Sequence, residues 1–334
     1  LHMGHALNNS LQDVLIRYYR MNGYETLWQP GTDHAGIATQ AIVEKNLGKE
    51  NISKNDIGRE KFIKKVWEWK AESGGLILEQ LKKLGCSCDW SRSRFTMDEQ
   101  MSKAVTKVFV ALYNKKLIYK DKKLVNWDTK LQTAISDLEV VQNEVQSQLY
   151  YIKYPIADSK EHITIATTRP ETMMGDTAIA VNPKDIRYKN FIGKFVIIPI
   201  VNRKIKIIVD HYADPDQGTG AVKITPAHDF NDYDVGKRNK LEIINILEKD
   251  GKINSNGIES YVGLDRFDAR KKIINELKGL NLLEKIVSFK NKVPYGDRSN
   301  TIIEPLLTEQ WFVDAKSLSK KPIQTVKTKK TTFF

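Results

Sequence analysis

The order of apolar and polar positions in the first part of the chain predicts helices that alternate with short strands. Apolar residues recur at the spacing of one helix face over residues 6–22, after Gly36 and over residues 59–84. Between the first two of these helices, residues 25–29 have the composition of a short strand, which Pro30 ends. This alternation is typical of an open α/β sheet.

A further helix is predicted after residue 96. Thr96 and Glu99 have the spacing of a capping box, in which each side chain bonds the backbone of the other residue. The apolar positions that follow would form the buried face of this helix; they are Met101, Val105, Val108, Phe109 and Leu112.

The pattern changes at about residue 143 and predicts a mixed α+β region. The predicted elements are strands at 162–168, 196–201, 205–209 and 221–225 and a helix at 266–278 capped by Asp265. A buried-strand pattern returns at 308–313, so we expect the α+β region to be an insertion. The predicted fold is α/β. It has an incomplete Rossmann-like doubly wound parallel sheet (residues 1–142), an inserted domain (143–290) and a return to the first domain (291–334).

The composition is that of a globular protein with a marked positive charge. Of the 334 residues 41% are hydrophobic, and no apolar run approaches the length of a membrane-spanning helix. Lys and Arg number 53 against 41 Asp and Glu, a net charge of +12. This surplus fits either a polyanionic partner or a solvated, lysine-rich surface. Cys86 and Cys88 lack the spacing of a zinc or redox pair, so we expect ordinary thiols, no structural zinc and a cytoplasmic location.

The first chemical motif is His2-Met3-Gly4-His5, directly before the first predicted helix. Free N–H groups at a helix N-terminus attract phosphate, and two imidazoles there can add hydrogen bonds to a developing phosphate anion. Gly4 leaves room for a flat base against the backbone. The alternatives are two surface histidines or part of a metal site, for which no further ligand is near in sequence.

The second motif, residues 31–36, lies between a predicted strand and a predicted helix. Ligands of doubly wound sheets bind outside the carboxyl ends of the strands, so Asp33 could anchor a substrate ammonium group there. The alternative is that Asp33 caps the following helix.

Six longer strings carry a resemblance to a known family. They are GTDHAGIATQ at 31–40, NWD at 126–128 with TAISDLE at 133–139, TTRPETMMGD at 167–176, GTGAVKITPAHD at 218–229, VPYGDRS at 293–299 and EQWFV at 309–313. With the first motif they resemble the class I aminoacyl-tRNA synthetases and, among them, the valyl-tRNA synthetase family. The resemblance spans nearly the whole chain. Isoleucyl and leucyl relatives share the first motif but differ at residues 31–40.

The resemblance implies an ATP-dependent ligase. His2, Gly4 and His5 would bind ATP, with both histidines stabilising the transition state as the amino-acid carboxylate attacks the α-phosphorus. Asp33 would hold the ammonium group of valine, and Trp311 would wall its side-chain pocket. Valine would then be transferred to tRNA(Val), and Mg²⁺ would offset the phosphate charge.

The resemblance also implies that residues 143–290 are an editing domain. Threonine has nearly the shape of valine, so an apolar pocket cannot strongly reject it, and a second site must hydrolyse threonyl-tRNA(Val). By resemblance Arg169, Lys223, Thr225, Asp229 and Asp232 line that site. Asp232 would hold the aminoacyl ammonium, and Lys223 the hydroxyl or the tRNA end. From the residues alone, Asp229 or Asp232 could instead cap a helix near residue 231, and Arg169 could lie in a surface turn.

We expect the chain to be part of a longer, monomeric protein. The KMSKS signature of the family does not occur in it, so we expect no complete aminoacylation, while deacylation would remain open. The rival hypotheses are an isoleucyl-type synthetase, a stand-alone deacylase and a tRNA-binding module without catalysis.

Overall fold

A computed structural model describes residues 1–333. Its helices are α1 (Met3–Met21), α2 (Gly36–Lys49), α3 (Lys54–Lys83), α4 (Glu99–Asn114), α5 (Phe230–Asn239), α6 (Arg266–Gly279) and α7 (Ala315–Lys327). Its strands are β1 (Gly31–Thr32), β2 (Arg94–Phe95), β3 (Ile118–Asp128), β4 (Thr133–Ile135), β5 (Val140–Pro155), β6 (His162–Thr167), β7 (Ala178–Val181), β8 (Phe195–Ile197), β9 (Lys204–Val209), β10 (Ala221–Ile224), β11 (Leu283–Gly296) and β12 (Glu304–Val313).

The chain divides into two compact units. The first comprises Leu1–Tyr119 and the segment from Val313 onward, and the second comprises Lys120–Phe312. The predicted boundaries near residues 142 and 290 fall inside β5 and β11, which pair with each other, so the second unit extends beyond the predicted insertion at both ends. The insertion itself stays a prediction about how the sequence is organised.

In the first unit, the parallel sheet consists of β1 and β2, which pair from Gly31 with Arg94 to Thr32 with Phe95. The strand predicted at residues 25–29 is wrong: this segment forms no strand in the described part of the chain, and strand pairing begins only at Gly31. Within this segment the Trp28 carbonyl oxygen accepts from the Asp89 N–H at 2.9 Å. A small core of Val43, Leu47 and Phe62 packs α2 against α3.

The helix predicted after residue 96 is present as α4, but two details of the prediction are wrong. Its N-cap is Asp98, whose carboxylate accepts from the Met101 N–H at 2.8 Å, and not Thr96. Four of the five predicted inward residues are exposed, and Val105 for example is 61% exposed, while Leu112 is half-buried. Helical spacing tells which residues share a face, and it does not tell what covers that face.

The second unit contains the main core and the mixed α+β arrangement that the sequence predicts. Its sheets have the strand orders β10-β7-β9-β8, β11-β5-β6 and β12-β3-β4. In these sheets β10 with β7, β11 with β5, β5 with β6, β8 with β9 and β3 with β4 pair antiparallel. The strands β7 and β9 pair parallel. Isoleucines at the centre of the core, such as Ile152, Ile165 and Ile207, are fully buried.

Three predicted elements of this unit are present, two of them with differences from the prediction. The predicted hairpin exists as β8 and β9, although β8 ends at Ile197, before the turn that contains Pro199. Asp265 caps α6 as predicted, accepting from the Phe267 N–H at 2.8 Å. The strand predicted at 308–313 lies within β12 but is not buried, because its side chains alternate between half-buried and exposed.

An ion pair between the buried Asp210 and the half-exposed Arg238 joins the end of β9 to α5. The Asp210 carboxylate accepts from Nε and Nη2 of Arg238 at 2.8 and 2.6 Å, from Asn239 at 2.9 Å and from the Tyr212 N–H at 2.9 Å. The hydrogen bond with Arg238 is the largest cause that lowers the pKa of Asp210, which falls to about 2.

We predict that Asp210→Asn destabilises the chain by about 2 kcal/mol at pH 7, since a carboxyl with a lowered pKa stabilises the fold when it is ionised. That contribution is complete above the ordinary pKa near 3.8 and is lost as the pH falls towards 2. Chemical denaturation at pH 7 and at pH 3 would measure the difference. Asp158→Asn, at an exposed carboxylate 3.7 Å from Lys204, is the matched control. Equal effects of the two variants would contradict the prediction.

Candidate functional site

The centre of the candidate site is a buried ammonium group on β10. The Lys223 Nζ donates to Thr172 Oγ1 at 2.8 Å, to Asp176 Oδ1 at 2.9 Å and to Thr225 Oγ1. The Thr225 hydroxyl in turn donates to Asp176 Oδ1 at 2.6 Å, and the Tyr154 hydroxyl donates to Asp176 Oδ2 at 2.8 Å. The charge of Lys223 is therefore paired with Asp176, and the three N–H donors of the ammonium all have acceptors.

Asp232 lies beside this cluster, in the first turn of α5. Its Oδ2 accepts from the Thr225 N–H at 2.8 Å, and its side chain is buried. Burial, and next the charge of Asp229, raise the pKa of Asp232 to about 7, although Lys223 acts in the opposite direction. The raised pKa of this buried carboxyl marks Asp232 as a candidate functional residue.

Asp229 is the N-cap of α5, which is the capping role that the sequence analysis gave as the alternative for this residue. Its Oδ1 accepts from the N–H groups of Asn231 at 2.8 Å and Asp232 at 3.1 Å. The cap fixes the first turn of the helix and with it the position of Asp232.

Arg169 does not lie in a surface turn. It precedes the 3₁₀ helix Pro170–Gly175, and its guanidinium contacts Glu171 at 3.3 Å, Glu304, and the His228 carbonyl oxygen at 3.0 Å. Glu171 is also held by Arg270 at 2.7 and 2.8 Å, and Glu304 lies 2.7 Å from Nε of Arg266. Five charged side chains of alternating sign thus form one chain of contacts: Arg270, Glu171, Arg169, Glu304 and Arg266.

A cleft of about 1150 Å³ opens beside Arg169. His228, Asp229, Tyr150 and Arg270 also line it. Lys223, Thr225 and Asp232 do not line the cleft; they are joined to its wall through Thr172, which donates to the Arg169 carbonyl oxygen at 2.9 Å, and through Asp229. The five predicted residues therefore belong to one network of contacts, of which Arg169 and Asp229 line the cleft.

His228, in the wall of the cleft, is neutral. Burial, with the charges of Arg169 and Lys223, holds its pKa well below the usual value. Its Nε2 accepts from the Ile246 N–H at 3.0 Å, so the ring proton lies on Nδ1.

In the first unit, His2 and His5 form a reciprocal cap at the start of α1. Nδ1 of His2 accepts from the Gly4 N–H at 3.1 Å, and Nδ1 of His5 accepts from the His2 N–H at 3.3 Å. The neutral form of each ring therefore carries its proton on Nε2, which leaves one N–H donor on each ring. The centroids of the two rings lie 3.9 Å apart. A Cβ on Gly4 would lie 3.0 Å from the His2 ring.

Asp33 follows the carboxyl end of β1. Its Oδ1 accepts from the Ala35 N–H at 3.1 Å and from the Thr96 hydroxyl at 3.4 Å, and Thr96 follows the carboxyl end of β2. The Ala35 N–H is the largest cause that lowers the pKa of Asp33. Asp33 is thus an exposed carboxylate at the end of the sheet where ligands bind, as its position in the sequence predicts. The N-cap of α2 is Ala35 rather than Asp33.

Trp311, the other residue predicted for a valine pocket, lies on β12 in the second unit and is 51% exposed. Asp33 belongs to the first unit and Trp311 to the second. The valine pocket that the two residues would share stays a prediction.

The comparison with protein families decides the classification. The family model of the class I tRNA synthetases for I, L, M and V matches residues 1–334. The chain belongs to the class I tRNA synthetases. This synthetase chain is similar, over its whole length, to proteins named valine--tRNA ligase: 72% identical in Pelagibacter ubique, 56% in Rhodopseudomonas palustris and 54% in Dechloromonas aromatica. It covers 38%, 37% and 36% of these relatives.

Among solved structures, the synthetase chain is similar to LeuRS from Agrobacterium radiobacter K84 in a ternary complex with tRNA and LeuAMS. The sequences are 21% identical, the match covers 87% of this chain and 43% of the other, and the TM-score is 0.34.

Residues 1–333 contain no group of three or more His, Cys, Asp or Glu side chains placed to hold a metal ion. None of their helices combines the length and the apolar character needed to cross a membrane.

Sequence reasoning missed several members of the site. Thr172, Glu171 and Asp176 lie in the string TTRPETMMGD, which could have pointed to them. Arg266, Arg270 and Glu304 carry no motif that would distinguish them from other charged residues, and only the folded chain brings them to Arg169.

We predict that Asp232→Asn stabilises the synthetase chain at high pH. A carboxyl whose pKa is raised to about 7 costs stability as the pH rises from about 4 to 7, because folding must expel water from the ionised form. The amide keeps an acceptor for the Thr225 N–H and has no charge. The gain should be about 2–3 kcal/mol larger at pH 8 than at pH 5.

Chemical denaturation at the two pH values measures this gain. Asp234→Asn, at an exposed carboxylate on the same helix, is the control and should show no such difference. A pH-independent effect of Asp232→Asn would show that the carboxyl does not titrate in this range.

Proposed function

We propose that this chain is part of a valine--tRNA ligase and carries its site for the hydrolysis of threonyl-tRNA(Val). The observation that carries the editing proposal is the buried cluster around Lys223 with the titrating Asp232 beside it. The support for valine is the 72% identity with a relative of that name over the full length of this chain. An isoleucyl-type synthetase, by comparison, has no support among the relatives named above.

For editing, Asp232 would hold the ammonium group of the threonyl ester. An approaching cation lowers the pKa of a buried carboxyl, so binding would complete the ionisation of Asp232. An aminoacyl ester is already activated, so a positioned water suffices for hydrolysis without a protein nucleophile.

Arg169 would hold the tRNA end at the mouth of the cleft. Of the five N–H donors of its guanidinium, three are used in the contacts with Glu171, Glu304 and the His228 carbonyl, and its side chain is 27% exposed. The remaining donors suit a phosphate or ribose oxygen.

Lys223 is better suited to a supporting role than to direct contact with the substrate hydroxyl. Its donors are already used by Thr172, Asp176 and Thr225. It would hold the hydroxyls of Thr172 and Thr225 in place behind the residues that line the cleft.

For synthesis, the Nε2–H groups of His2 and His5 would donate to ATP phosphates at the N-terminus of α1, with Gly4 against the base. Mg²⁺ would accompany ATP and offset the phosphate charge. Asp33 would bind the valine ammonium and Trp311 would wall the side chain. We further propose that the protein acts on tRNA(Val) as a monomer in the cytoplasm.

We predict that this chain hydrolyses threonyl-tRNA(Val) faster than valyl-tRNA(Val), and that Asp232→Ala lowers the rate by about 10- to 100-fold, the cost of one hydrogen bond to a charged group. The rate for the unaltered chain should rise as the pH passes through about 7, because the ammonium binds the ionised carboxylate. Release of labelled threonine measures both.

Asp234→Ala is the matched control. A folded chain that binds tRNA(Val) with a steep salt dependence but releases no threonine would favour the tRNA-binding module instead.

We also predict that the natural full-length protein catalyses valine-dependent exchange of pyrophosphate into ATP. His5→Ala should lower the exchange rate by about 10²-fold or more, because it removes a donor to the developing phosphate charge. Exchange driven by isoleucine as well as by valine would overturn the assignment to valine.

A further inference from the structure

The two acidic members of the chain of alternating charges come from different parts of the sequence. Glu171 is two residues from Arg169, whereas Glu304 is 135 residues from it, at the start of β12 and outside the predicted insertion. Glu304 is buried and contacts two arginines, Arg169 through Oε2 and Arg266 through Oε1.

These contacts fix the guanidinium of Arg169 from three directions. Glu171 contacts Nε, the His228 carbonyl accepts from Nη1, and Glu304 accepts from Nη2. Without Glu304, the outer end of the guanidinium keeps only the carbonyl contact, and it would face Arg266 with no carboxylate between them.

We propose that Glu304 is a positioning residue for editing, holding Arg169 in the orientation in which its remaining N–H donors face the cleft. This inference rests on the proposed editing function. Glu304 itself does not need to touch the substrate, since its two oxygens are used by the two arginines. A strand outside the predicted insertion thus supplies a part of the editing site.

The test is a double-mutant cycle on threonyl-tRNA(Val) hydrolysis, with Glu304→Gln and Arg169→Gln alone and together. If Glu304 acts through Arg169, Glu304→Gln should lower kcat/KM by about tenfold or more in the unaltered chain and by less than about twofold when Arg169 is already glutamine. The loss should lie mainly in KM, because Arg169 is assigned to binding. Equal losses in both backgrounds would overturn the proposal.

Two further variants keep the outcome decisive. Glu309→Gln, on the same strand at an exposed residue paired with Lys120, is the control for β12 and should leave the rate unchanged. Should Glu304→Gln not fold, Glu304→Asp retains the charge but is one methylene too short to reach both arginines. It should then show the same dependence on Arg169.

The experiment distinguishes a failure of the proposed editing function from a failure of the role of Glu304. An unaltered chain that releases no threonine from threonyl-tRNA(Val) refutes editing, and the role of Glu304 falls with it. An active chain in which Glu304→Gln changes nothing refutes only the role of Glu304.

Discussion

Five charged side chains, buried or half-buried in alternating sign, hold together the wall of the cleft. Each carboxylate lies between two arginines, and each end of the chain is anchored on α6. Burial alone would raise the pKa of Glu171, but the hydrogen bond and charge of Arg270, with the charge of Arg169, lower it. Such an arrangement holds only when it is complete, because removing one partner leaves an uncompensated charge at a cost of about 3–5 kcal/mol.

The neighbouring Lys223 cluster also buries charge, but it contains a single ion pair rather than a chain of five charged side chains. One cation and one anion are buried together, and three hydroxyls satisfy their remaining donors and acceptors. Asp232 is the exception, since it shares this environment without a cation of its own. Its Oδ2 accepts from the Thr225 N–H, and burial is the largest cause that raises its pKa.

The sequence was informative at several places where local rules decide structure, although the N-cap of α4 is Asp98 and not Thr96. The cap at Asp265 and the alternation in β6 were predicted correctly in the second unit. It failed where the answer depends on distant parts of the chain. Nothing local shows that Val105 lies on an exposed face, that residues 25–29 lack a partner strand, or that Glu304 meets Arg169.

The separation between Arg169 and Glu304 also has a consequence for synthesis on the ribosome. At about 5–20 residues per second, the 135 positions between them take about 7–27 s to translate. During that interval Arg169 can meet Glu171 but not its second carboxylate. The nascent chain can therefore form the sheets β10-β7-β9-β8 and β11-β5-β6 before it can close the wall of the cleft, and that closure waits for β12, which begins at Glu304.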